Sequence, residues 1–143
     1  MGTKTDRTGN YPRLRWWLPG VLVFVLAGCQ GASTAGEQVP VAFSVEEERT
    51  LPAALRQAIK ENEAREIRMT FEDGDDLYLI RGYGEQKTGG YSIAVDACTE
   101  DEEKLYLTTR LIGPEDAEKQ PKDASYPYIV VRVAATGKAV EIQ

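Results

Sequence analysis

The sequence predicts an α+β fold, with one helix packed on a small, mainly antiparallel β-sheet or sandwich. Three observations carry this expectation: one stretch repeats apolar residues at four-residue spacing, several later stretches repeat them at every second position, and turn-forming clusters separate those stretches.

The apolar run at 39–44 reads as a first strand. Thr50-Leu51-Pro52 reads as a helix start, with Thr50 as cap and Pro52 in the first turn, where its missing N–H breaks no intrahelical bond. Leu51, Leu55 and Ile59 form one stripe with Ala54 and Ala58 beside it, and Arg56, Lys60 and Glu63 lie outside it. The spacing predicts a helix over 51–63. The segments 66–71 and 77–82 flank Glu72-Asp73-Gly74-Asp75-Asp76, a hairpin pattern. Tyr91, Ile93, Val95 and Ala97 alternate with Ser92, Ala94, Asp96 and Cys98. Leu105, Leu107, Thr109 and Leu111 oppose Tyr106, Thr108, Arg110 and Ile112. Ile129, Val131 and Val133 alternate with Tyr128, Val130, Arg132 and Ala134. Alternation of this kind predicts antiparallel strands with one dominant buried face. A short last strand is expected at 140–142.

The N-terminal region has a different character. Lys4, Arg7, Arg13 and Arg15 against Asp6 give residues 1–28 a side-chain charge of +3, which leaves −9 of the total −6 for the rest. An apolar run from Trp16 to Ala27 follows, shorter than the roughly 20 residues of a bilayer span and interrupted by Pro19-Gly20. Basic, apolar and small residues in that order read as a secretory signal. Leu26-Ala27-Gly28-Cys29 resembles the lipobox of bacterial lipoproteins. The resemblance implies that the Cys29 thiol receives a diacylglyceryl group and that cleavage before it makes Cys29 the N-terminus, giving a durable two-chain anchor in the bacterial cell envelope. The organisation expected is a signal peptide over 1–28, a small, polar, flexible tether over 29–40 and a folded domain over 41–143.

Composition excludes much chemistry. The chain has no histidine, which removes Ser-His-Asp and Cys-His catalysis and the usual imidazole ligands of zinc. An acidic folded region repels phosphate backbones, so nucleic acid is not an expected partner. Cys98 has no disulfide partner once Cys29 is acylated, and acidic neighbours raise a thiol pKa, so Cys98 reads as structural. Asp73, Asp75 and Asp76 lack the glutamate-terminated loop of an EF-hand, and 100–103 reads as a solvated turn. No metal, no cofactor and no catalytic residue is expected.

The segment from Gly82 to Tyr91 is rich in glycine but lacks the Gly-Lys-Ser/Thr ending of a phosphate loop. Glycines between two strands predict a tight exposed tip, flanked here by Tyr83 and Tyr91. Candidate partner-binding residues are Thr88, Gly89, Gly90, Tyr91, Tyr126 and Tyr128. Phe43-Ser44-Val45, the helix at 51–59, Gly84-Glu85-Gln86-Lys87-Thr88-Gly89-Gly90-Tyr91-Ser92-Ile93, Leu111-Ile112-Gly113-Pro114 and Tyr126-Pro127-Tyr128 occur in the order of the PrcB C-terminal domain family, which this chain resembles over 43–142. The sequence departs from the family pattern after Pro114, where 115–120 replaces a loop richer in proline and glycine. The resemblance implies a non-catalytic subunit that associates with or stabilises an extracytoplasmic protease. The Thr-Gly-Gly-Tyr loop is also similar to the loop that chagasin-type protease inhibitors insert into an active site. A structural envelope lipoprotein without a protease partner is the alternative from another class.

Overall fold

In the computed structural model the described residues are 36–143; the expected leader, Cys29 with its Leu26-Ala27-Gly28 box and most of the tether lie outside them. In chain order the elements are β1 (Val39–Pro40), β2 (Ser44–Val45), α1 (Ala53–Asn62), β3 (Glu66–Asp73), β4 (Asp76–Tyr83), β5 (Ser92–Glu100), β6 (Lys104–Ile112), β7 (Tyr128–Ala134) and β8 (Ala139–Ile142). They form two four-stranded sheets, ordered β1-β5-β6-β8 and β2-β7-β4-β3. All neighbours are antiparallel except β6 and β8, which are parallel. The α+β expectation therefore holds in its sandwich form, with α1 outside the second sheet.

One core lies between the sheets. Cys98, Leu105 and Leu107 of the first meet Leu77, Leu79, Ile129, Val131 and Val133 of the second. A separate core lies under the helix, where Leu51, Leu55 and Ile59 meet Ile67, Tyr78, Ile80 and Val130. Strands β4 and β7 thus bury both faces, where alternation predicted one: the outward residues Tyr78, Ile80 and Val130 are covered by α1. The continuous apolar stretch Leu77-Tyr78-Leu79-Ile80 is the sequence sign of a strand covered on both sides.

Four local differences from expectation have physical causes. The run at 39–44 divides into β1 on the first sheet and β2 on the second, so the chain changes sheet near Ala42-Phe43, and Val39 and Pro40 of the expected tether pair with β5. Pro52, not Thr50, occupies the N-cap of α1; the Thr50 hydroxyl instead donates to the Glu47 carbonyl at 2.7 Å and closes the short 3-10 turn before the helix. In β5 a bulge at Asp96 sets Val95 opposite Thr109 and Ala97 opposite Thr108. The extra residue exchanges the two faces beyond it, so Ile93, Val95 and Cys98 all pack on the inter-sheet core. Finally, β8 runs parallel to β6, reached by a return past Gly137 at φ +71°.

The acidic turn after β5 is more ordered than a solvated run. Asp101 Oδ1 accepts from the Glu103 and Lys104 backbone N–H groups, each at 2.8 Å, and Oδ2 accepts from the Tyr106 hydroxyl at 2.8 Å. The Lys104 amide, then the Tyr106 hydroxyl, hold the Asp101 carboxyl below its usual range. A carboxyl lowered in the folded state contributes stability above the ordinary aspartate range and loses that contribution as pH falls through the folded value. Asp101→Asn is therefore expected to flatten the acid side of the stability profile. Denaturant titrations of both chains at descending pH check this; parallel acid limbs contradict it.

Candidate functional site

Residues 84–91 join β4 to β5, and residues 113–127 join β6 to β7. The two connections lie side by side. Gln86 and Ser125 exchange backbone hydrogen bonds of 2.8 and 3.0 Å, an isolated antiparallel bridge. The Ser125 hydroxyl donates to the Thr88 carbonyl at 2.6 Å, and the Gly89 N–H donates to the Pro121 carbonyl at 3.2 Å. Tyr126 donates its hydroxyl to Glu85 Oε2 at 3.2 Å. The expected glycine tip is exposed at Glu85, Lys87 and Gly90, but it is not free. Its backbone polar groups bond to a neighbouring segment, and the pair forms a two-segment platform at one end of the sandwich.

Gly90 makes this approach feasible, and Gly84 lets the chain leave β4 close to the backbone that precedes β3. Gly84 has φ +71°, and a Cβ there would sit 3.3 Å from the Arg65 backbone carbonyl carbon. Gly90 has φ +85°, and a Cβ there would meet Gln120 Oε1 at 2.6 Å and Pro114 Cβ at 3.0 Å. The Tyr91 ring lies 3.6 Å from the place where a Gly113 Cβ would stand, an ordinary contact distance that brings the ring against the second segment.

The platform stands on a fixed base. Tyr83 closes β4; Thr109 Oγ1 donates to the Gln143 carbonyl at 3.1 Å, so the Tyr83 hydroxyl donates to Thr109 at 2.7 Å. The buried Arg81 guanidinium lies 4.0 Å above the Tyr83 ring centroid. It donates to the Gly82 carbonyl at 2.6 Å and to Glu66 at 2.7 Å, while its Nε has no partner among the described residues. Together these bonds fix the end of β4 from which the glycine segment departs.

Of the candidate residues, Thr88, Gly89, Gly90 and Tyr91 lie on the first segment and Tyr126 lies against it; all but the exposed Gly90 are half-buried. Tyr128 is elsewhere. It opens β7 and packs on the helix-side core, so it supports the fold rather than the platform. The Glu85 charge raises the Tyr126 phenol, whereas burial, followed by the Glu48 and Glu63 charges, raises that of Tyr128. Sequence reasoning missed Gln86, Pro121 and Ser125, whose hydrogen bonds hold the platform together. No spacing rule marks them, because their partners come from a connection 30 or more residues away.

What converges here are amides, hydroxyls and small polar side chains already bonded to one another. Cys98 is remote, buried between the sheets with its thiol pushed up mainly by burial and secondarily by Glu100. Among the described residues no three Cys, Asp or Glu side chains converge as a metal-ligand set. Asp73 and Asp76 close the β3–β4 hairpin, and Asp76 accepts from Arg132 at 3.4 Å.

The family described as PrcB C-terminal matches residues 77–134. That span begins in β4 and ends with β7, so it contains both connections of the platform; Phe43-Ser44-Val45 and α1 lie before it. No curated protein and no solved structure matches the chain.

Proposed function

We propose, from the PrcB C-terminal match over residues 77–134, that the chain is a lipid-anchored, non-catalytic accessory subunit that associates with or stabilises an extracytoplasmic protease. The observation that carries this reading is the coincidence of the matched span with the platform and the strands that hold it. The contact surface is the outer side of segments 84–91 and 113–127, where Glu85, Lys87, Pro121 and Lys122 are exposed. Anchoring follows from the Leu26-Ala27-Gly28-Cys29 box, and 30–38 gives the domain reach from the membrane surface. The pinned backbone favours a broad docking face over an inhibitor wedge, because a wedge needs a tip free to enter a cleft.

The test places a photo-crosslinking side chain at Lys87, on the platform, or at Gln57, on the exposed face of α1, in the full chain within membranes of its native host. A protease adduct from position 87 and none from position 57 is the expected result. Equal protease adducts from both positions overturn the assignment of the contact to the platform, and envelope components without a protease favour the structural lipoprotein.

A further inference from the structure

Three of the four sheet edges are short: β1 and β2 have two residues each and β8 has four. The fourth, β3, has eight residues and no strand on its outer side among the described residues. Long open edges invite pairing, and proteins ordinarily blunt them. Here the hydrogen-bonding polarity is readable. The two-residue turn Gly74-Asp75 closes on the pair Asp73–Asp76, with Gly74 at φ +63° and no positive φ at Asp75. In such a hairpin the closing residues exchange both backbone bonds, and every second pair repeats the exchange. The odd residues of β3 therefore bond to β4. Glu66, Arg68, Thr70 and Glu72 direct their N–H and C=O groups to the open side.

The side chains of those same residues face the inter-sheet side, where Arg68, Thr70 and Glu72 line a cleft of about 550 Å³ together with Leu77, Val140 and Ile142. The other face carries Met69 and Phe71, half-buried toward the helix. Charges on an edge strand reject most partners, so the order of charges decides what fits. For a second copy paired antiparallel through this edge, centring on Arg68 sets Arg68 against itself, and centring on Met69 sets Glu66 against Glu72. Centring on Thr70 sets Arg68 against Glu72 twice, Met69 against Phe71 twice and Thr70 against itself. That register is the one that combines broad overlap of β3 with opposite charges and matched apolar pairs.

We infer that β3 is a self-recognition edge, through which two copies of this chain pair antiparallel about a two-fold axis at Thr70 and extend the second sheet across the dimer. The interface is isologous: each Arg68 meets the other copy's Glu72 across the same two-fold axis. It lies on a different edge of the molecule from the platform and does not depend on the protease reading.

The test uses the full chain in its membranes. In the proposed register the two Thr70 residues form a hydrogen-bonded pair with Cα atoms about 5.5 Å apart, within the roughly 4.4–6.8 Å that a disulfide spans. Thr70→Cys is expected to give a disulfide-linked dimer under mild oxidation, above the baseline of the parent chain with Cys29 and Cys98 in place. Arg68→Cys is not, because its copies are offset along the strands. Adding Arg68→Glu to Thr70→Cys is expected to cut the linked fraction roughly tenfold, and adding Glu72→Arg to that variant is expected to restore it. Both side chains are exposed, although Arg68 also pairs with Glu66 of its own chain at 2.8 Å, and far-UV circular dichroism checks that each variant keeps the fold. The inference is overturned by Thr70→Cys linking no more than Arg68→Cys, by linking that ignores the charge exchange, or by linkage of Thr70→Cys to a different protein.

Discussion

Truncating Leu107 to alanine is expected to lower the unfolding free energy by roughly 2–5 kcal/mol, and Leu55→Ala by a similar amount, with each variant still unfolding in a single transition. Both side chains are fully buried, Leu107 between the sheets and Leu55 under the helix. The two cores do not share a buried residue, yet they share two strands. Leu77 and Leu79 point from β4 into one core, and Tyr78 and Ile80 point from the same strand into the other. Strand β7 does likewise with Val131 and Val130. Loosening either core therefore loosens β4 and β7 and transmits the loss to its neighbour. Urea titration of the chain, followed by far-UV circular dichroism, reads both the size of the loss and the number of transitions. Two separated transitions would show that the helix layer and the sandwich are independent, and a loss well under about 1 kcal/mol at either leucine would contradict the weight given to its core.

Gly90→Val is expected to weaken partner capture by at least roughly tenfold, about 1.4 kcal/mol, while the fold persists. A side chain at φ +85° strains the backbone by about 1–2 kcal/mol, which the domain tolerates. The effect on the platform is larger, because the new Cβ displaces Gln120 and presses on Pro114. The Gln120 side chain then swings aside and Pro114 yields by a few tenths of an ångström, and with the valine methyls pressing further on 113–127 the Gly89–Pro121 and Thr88–Ser125 hydrogen bonds are the first expected to open. Faster hydrogen exchange confined to the Gln86, Gly89 and Ser125 amides is the structural signature. Gly137→Val serves as the control: it has a similar φ of +71°, but a Cβ there meets nothing within 4 Å, so it carries backbone strain without disturbing the platform.

Much of this architecture was legible in the sequence because it depends on short-range periodicity. The Leu51, Leu55, Ile59 stripe located the helix, and Gly74 in an acidic cluster located the β3–β4 turn. The inward set Leu105, Leu107 and Thr109 was readable from alternation and is buried as expected. What escaped depends on tertiary context. A single extra residue at Asp96 moves Cys98 to the same side as Val95, and alternation counted across a bulge misassigns the face. The parallel partnership of β8 leaves no local trace. At the platform the glycine positions pointed to an unusual backbone at 84–91. The residues that convert that backbone from a free tip into a pinned face, Pro121 and Ser125, come from a connection whose course no spacing rule predicts.

The central claim, that the platform binds an extracytoplasmic protease, is tested most directly by affinity recovery from native-host membranes with the tagged full chain, run beside Gly90→Val and Gly137→Val and read by mass spectrometry. The account predicts a protease recovered with the parent chain and with Gly137→Val, and depleted with Gly90→Val. Recovery of the same envelope components by all three chains, with no protease among them, would contradict it.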